Sequence, residues 1–138
     1  MKAKLVFDTN VYIAAVVTDD AHVAQFIAVH ELYDIYCSIH ILDELSDKLI
    51  HRFGWEASDV ARYLESISLT AHMVYPSVKI SDILVDEDDH KILECALEAK
   101  ADLIITADKL LLKIKKYQNI AIAHPSMMKY WFPAGKGV

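Results

Sequence analysis

Leu5-Val6-Phe7-Asp8-Thr9-Asn10 is an apolar run that stops on a carboxylate. Residues 4–7 are too few for a helix, and Val6 and Phe7 favour extended backbone, so the run reads as a buried strand. Asp8, Thr9 and Asn10 make a polar break before a second apolar run over residues 11–17. In an open α/β sheet, ligands bind beyond the carboxyl ends of strands. Asp8 is therefore placed either to cap the following helix or to serve a site, and the rest of the chain has to decide between them.

Outward from that stretch, strands and helices alternate. Residues 11–17 and 21–32 read as helices around a turn at Thr18-Asp19-Asp20, and 34–37 as a short strand. Ser38 suits the N-cap of a helix over 39–52, whose Ile41, Leu42, Leu45 and Leu49 form one stripe, and Gly54 suits its left-handed end. Ser58 is placed to cap a helix to Thr70, followed by a strand over 71–75 that Pro76 ends and a loop over 77–86. Residues 88–100 form an amphipathic helix with Ile92, Leu93, Ala96 and Leu97 on one face, and 103–106 a buried strand. A short helix over 108–116, a strand over 120–123 and a terminal helix capped by Ser126 and ending near Trp131 complete the chain. Such alternation predicts a parallel sheet covered on both faces.

The 138 residues suit one domain, 1–138, without repeat, linker or low-complexity tract. With 54% hydrophobic residues and three Gly and three Pro, disorder is excluded. No apolar run approaches the length of about 18 residues that crosses a bilayer, and the N-terminus does not read as a secretory signal. Cys37 and Cys95 lack metal-ligand spacing and read as reduced, buried thiols of a cytoplasmic protein. The net charge of −6 speaks against a broad basic face for nucleic acid, yet acidic sites can meet phosphate through a divalent cation. Residues 82–94 contain six acids and residues 109–116 four lysines.

Lengths bring the acids together. A helix of about 12 residues starting at Asp89 runs roughly 18 Å, and the strand through Ile105 with its flanks returns nearly as far. Asp89, at a helix start, and Asp108, past a strand end, then share the sheet end where Asp8 lies. Glu44 lies some six residues into its helix, roughly 9 Å along the axis, and flanks the Ile41 stripe, so its side chain reaches the same end. Asp89 shares the face of Ile92 and Leu93 and should point inward, whereas Asp88, about 100° away, should cap the helix or face solvent. Crowded carboxylates repel one another and call for a cation, and hard oxygen donors with few Cys or His nearby suit Mg²⁺ or Mn²⁺, not Zn²⁺.

Val6-Phe7-Asp8-Thr9-Asn10-Val11, Glu44 within a helix, the run Asp86-Glu87-Asp88-Asp89-His90-Lys91-Ile92-Leu93-Glu94-Cys95-Ala96 and Ala101-Asp102-Leu103-Ile104-Ile105-Thr106-Ala107-Asp108 together resemble a PIN domain in order and spacing, over about residues 4–123. The resemblance implies a three-layer α/β/α sandwich with a central, mainly parallel sheet. It also implies a metal-dependent endoribonuclease that hydrolyses RNA phosphodiester bonds, in many relatives the toxin of a toxin–antitoxin pair and a homodimer. By motif, Asp8, Glu44, Asp89 and Asp108 fall on the family's acidic, metal-holding positions, and Asn10 and Thr106 on its polar accessory positions. RNA and an antitoxin protein would be the partners. Leu110 stands where many relatives carry a further acid, which weakens a second tightly held metal; Lys100 replaces a common Gly and Glu87 a frequent Pro. The four lysines of 109–116 would steer phosphate or form a solvated face, and His40, His90 and His124 receive no role. Two alternatives stand: an aspartate-based phosphatase or phosphoacceptor with Asp8 as nucleophile, although Asn10 occupies the position where a second Asp is usual, and a catalytically inactive PIN-like interaction module.

Overall fold

The computed structural model describes residues 2–17, 32–82 and 86–131. Its elements are β1 (Ala3–Phe7), α1 (Thr9–Val17), β2 (Tyr33–Ser38), α2 (Ile39–His51), α3 (Ala57–Thr70), β3 (His72–Val74), α4 (Glu87–Ala99), β4 (Leu103–Ile105), α5 (Lys109–Ile114), β5 (Lys116–Tyr117), β6 (Ile120–Ala123), a 3₁₀ turn (Pro125–Met127) and α6 (Met128–Trp131). The expected turn at 18–20 and nearly all of the expected helix over 21–32 lie outside the described residues.

The six strands are ordered β3-β2-β1-β4-β6-β5, parallel throughout except for the antiparallel β5–β6 pair. Leu5, Val6 and Phe7 are consecutive and all buried, as are Ile104 and Ile105. Side chains alternate between faces along a strand, so both faces of the sheet centre are covered, as the continuous apolar runs imply. The chain is the α/β sandwich with a central, mainly parallel sheet expected from the sequence. Helix α4 packs on β1, β2, β3 and β4; α2 packs on β2, α3 on β3 and α5 on β6. Cys37 and Cys95 are both buried and free, and burial pushes their thiols up to about 12, which keeps them protonated.

From β1 the sheet grows one way through β2 and β3, and from β4 the other way through β6 and β5. The β1–β4 boundary is therefore the switch point, where the loops leaving adjacent strands diverge and open a crevice. Its register is fixed: Phe7 pairs with Ile105, Asp8 N–H donates to Ile105 carbonyl oxygen at 2.9 Å, and Asp102 Oδ2 accepts from Lys4 N–H at 2.8 Å.

Helix ends explain most of the departures from expectation. Ser38 caps α2 as expected, its Oγ accepting from Ile41 N–H at 3.4 Å. Gly54 closes that helix with φ +69, its own N–H donating to the Ile50 carbonyl in the αL capping pattern and that of Trp55 to the Leu49 carbonyl. Ser58 does not cap α3; Glu56 takes the cap position, and α3 begins at Ala57 without a side-chain cap. Ser126 does not cap the last helix either; two residues earlier, His124 Nδ1 accepts the Ser126 N–H at 3.1 Å and caps the 3₁₀ turn. The helix expected over 108–116 stops at Ile114, where Lys115 takes φ 63, and Lys116 and Tyr117 instead form an edge strand against β6. Gln118, at φ 53, turns that hairpin together with Asn119, taking a conformation usually given to Gly or Asn.

Candidate active site

The site begins with strand register. Because Phe7 and Ile105 are paired, the next residues out, Asp8 and Thr106, meet: Thr106 Oγ1 donates to Asp8 Oδ2 at 2.7 Å. Thr106 Oγ1 also accepts from Asp108 N–H at 3.0 Å, so one buried hydroxyl ties the ends of β1 and β4 together. Asp8 is 5% exposed, and burial raises its carboxyl, opposed by the hydrogen bonds from Thr106 and the Asn10 backbone. The backbone bond at Asn10 is what a helix-capping Asp makes, so Asp8 caps α1 and faces the crevice at once.

Asp108 Oδ1 accepts from Leu110 and Leu111 N–H at 2.8 and 3.2 Å and so caps α5. That leaves its second oxygen free of the cap. Asp89, in the first turn of α4, is 5% exposed. Burial pushes its carboxyl up to about 7, and the negative charges of Asp108 and Asp8 add to the rise. Asp8, Asp89 and Asp108 therefore sense one another across the switch point. Asp89 Oδ2 is buried and has no hydrogen-bond partner.

Glu44 forms a second centre beside the first. Burial first and Asp88 next push its carboxyl up to about 7, with Thr9 and Lys48 opposing the shift. Its Oε2 is buried without a hydrogen-bond partner, and its Oε1 lies 3.8 Å from Lys48 Nζ. Lys48 also donates to Asn10 Oδ1 at 3.3 Å. A cleft of about 410 Å³ between α2 and α4 adjoins this pair, lined by Thr9, Glu44, Lys48, Arg52, Asp88 and Lys91 among others.

The structure thus brings Asp8, Asp89, Asp108 and Thr106 together, and sets Glu44 and Asn10 next to them through Lys48. Asp89 is buried and Asp88 exposed, as their positions on the helix require. Asp88 nevertheless does not cap α4, whose first residue is Glu87 and whose cap position is Asp86; it lies beside Glu44 instead. Sequence reasoning missed Lys48 and the Asp88–Glu44 pairing. The i,i+4 spacing of Glu44 and Lys48 was the available signal, but nothing local connects Lys48 to Asn10.

The donor set fits a hard divalent cation: carboxylate oxygens, two of them buried and unpartnered, on groups that burial and mutual repulsion make reluctant to ionise without a counter-charge. Among the described residues, no three acidic, His or Cys side chains stand close enough to hold one ion without adjusting. The carboxylates are poised around the crevice; they do not form a closed cage.

Comparisons with known proteins bear on the family and the fold. The sequence matches the PIN domain family over residues 4–110. It is 32% identical over 134 residues to an uncharacterized protein of Methanocaldococcus jannaschii, covering 90% of this chain and 84% of that one. Among solved structures, it resembles VapBC-1 from nontypeable Haemophilus influenzae (TM-score 0.63, 18% identity, 89% of this chain and 98% of that chain). VapBC2 from Rickettsia felis, solved bound to a promoter DNA fragment, gives a TM-score of 0.62 at 13% identity over 88% and 98% of the two chains. PAE2754 from Pyrobaculum aerophilum gives 0.60 at 17% identity over 96% and 90%. With a family match over most of its length and a fold to accord with it, the chain belongs to the PIN domain family.

Proposed function

We propose that this chain is a Mg²⁺- or Mn²⁺-dependent endoribonuclease whose metal-holding residues are Asp8, Glu44, Asp89 and Asp108, with Thr106 and Asn10 in support. The observation that carries this reading is the buried, unpartnered Asp89 Oδ2 facing Asp8 and Asp108 at the switch point of the sheet. A carboxylate in that position is stabilised by a bound cation.

A divalent ion held there would supply Lewis acidity toward a phosphodiester and lower the pKa of a bound water. The chain's own contribution is positional. Thr106 fixes the Asp8 carboxylate and, through the Asp108 N–H, the start of α5. Short Asp side chains anchored at strand ends make rigid ligands, and Glu44 and Asp89 come from helices that converge on the same end. The cleft between α2 and α4 sets Lys48, Arg52 and Lys91 among five carboxylates, Asp43, Glu44, Asp47, Glu87 and Asp88, so a polyanionic strand would approach the acids through a bound cation. No second Asp accompanies Asp8 as a phosphoacceptor would need, since Asn10 stands two residues on and is engaged by Lys48.

The wider reading is of one domain over residues 1–138 acting as a homodimer in the cytoplasm, as the toxin held in check by an antitoxin protein. The family match and the fold shared with VapBC proteins support it, and no helix among the described residues is long and apolar enough to cross a membrane. Incubating purified protein with total cellular RNA in Mn²⁺, Mg²⁺ or EDTA tests the activity. Co-expression with the protein encoded in the adjacent reading frame tests the toxin role: growth arrest by this chain alone and rescue by the neighbour are expected, and unaffected growth on overexpression counts against it.

A further inference from the structure

Lys48 lines the cleft and also touches the proposed ligand set directly. As an i,i+4 partner of Glu44 it has an ordinary explanation, a helix-surface ion pair of small effect. Its surroundings do not fit that explanation. Both partners are only 17% exposed, whereas in the i,i+4 pairs His51–Asp47 and Lys91–Glu87 at least one partner is more than 70% exposed. Its ammonium also leaves its own helix, donating to Asn10 Oδ1 on α1 at 3.3 Å. The same charge reaches Asp8 as well as Glu44, opposing the rise that burial imposes on each carboxyl. A cation is thus already in place where α1, α2 and the acidic crevice meet.

We propose that Lys48 is a built-in counter-cation that competes with the divalent ion for Glu44. Resting on the metal-dependent reading, this makes Lys48 a positioning residue. In the metal-free protein it neutralises Glu44 and holds Asn10, keeping the acidic edge together; a divalent ion has to displace it, or share Glu44 with it, so Lys48 weakens metal affinity while securing the fold. A lysine that acted only as a helix-surface strut would leave metal affinity untouched.

The test is calorimetric titration of Mn²⁺ into the full-length protein and its Lys48→Met and Lys48→Arg variants, with melting in EDTA as a check of folding. Loss of one positive charge within a few ångströms of the ligand set should tighten Mn²⁺ binding about tenfold in Lys48→Met. Lys48→Arg, which keeps the charge, should bind within about twofold of the parent. In EDTA, Lys48→Met should melt below the parent, and saturating Mn²⁺ should narrow or invert that gap. Wild-type or weaker Mn²⁺ affinity in a folded Lys48→Met overturns the proposal while leaving the metal reading intact, as does Lys48→Arg binding as tightly as Lys48→Met. Absence of Mn²⁺ binding in all three proteins overturns the metal reading itself, and this inference with it.

Discussion

Asp89→Asn should make the metal-free protein more stable and the protein useless as a metal binder. Asp89 is almost fully buried, and its carboxyl is pushed up to about 7 from the usual 3.8 by burial first and by Asp108 and Asp8 next. At pH 8 the folded, metal-free protein must carry this carboxylate ionised against its surroundings, a cost of up to about 4 kcal/mol. Relaxation and the desolvation of the Asn amide absorb part of the gain, leaving an expected stabilisation of about 2 kcal/mol, or roughly 6–10 °C in Tm for a domain of this size. The sign follows from linkage. A carboxyl whose folded pKa lies above its unfolded pKa contributes stability that is complete below about pH 4 and is lost as pH rises through about 7. The variant's advantage should therefore vanish near pH 4 and be largest at pH 8. Saturating Mn²⁺ reverses the order, since at a hundredfold excess over Kd a bound ion stabilises the parent by about 2.7 kcal/mol and the variant not at all. Melting curves of both proteins in EDTA and in Mn²⁺ at pH 5 and pH 8 read all of this. A variant that melts below the parent in EDTA at pH 8, or whose offset is the same at both pH values, would refute the reasoning.

Three further changes address separate parts of the site. Thr106→Val keeps the shape of a buried residue but removes the hydroxyl shared by Asp8 and the Asp108 N–H; urea unfolding should show a loss of about 2 kcal/mol, together with weaker Mn²⁺ binding. Asp108→Asn retains the oxygen that caps α5 and should stay within about 0.5 kcal/mol of the parent while binding Mn²⁺ poorly, whereas Asp108→Ala should lose about 1 kcal/mol as well. Equal stabilities of the two variants would remove the capping role. Lys100 ends α4 at φ 54, so Lys100→Gly should raise stability by about 1 kcal/mol in thermal unfolding, with no change in metal affinity.

The parts of this molecule that could be read from sequence are those fixed by period and by chain length. Leu5-Val6-Phe7 and Leu103-Ile104-Ile105 are continuous apolar runs whose burial on both faces is the only comfortable outcome. The convergence of Asp8, Asp89 and Asp108 followed from matching a helix length to a strand length. Asp89 was separable from Asp88 by the helical angle between them. What stayed hidden depended on contacts between distant segments or on backbone choices that composition does not signal. Strand β5 starts on the last residue of a lysine-rich run of helical appearance, and the left-handed residues around it, Lys115 and Gln118, are neither Gly nor Asn. The Asp88–Glu44 pairing and the Lys48–Asn10 bond join segments some forty residues apart. Ser58 and Ser126 were plausible caps displaced by Glu56 and His124, a shift of two residues in each case.

Metal-dependent cleavage of RNA by the purified chain is the most direct measurement. Total cellular RNA incubated with the wild-type protein should be cut in Mn²⁺ or Mg²⁺ and left intact in EDTA, and Asp89→Asn, folded and more stable in EDTA, should cut in neither. Cleavage that persists undiminished in EDTA, or RNA left whole by the wild-type protein in both metals, would contradict the assignment of the acidic crevice as a nuclease centre.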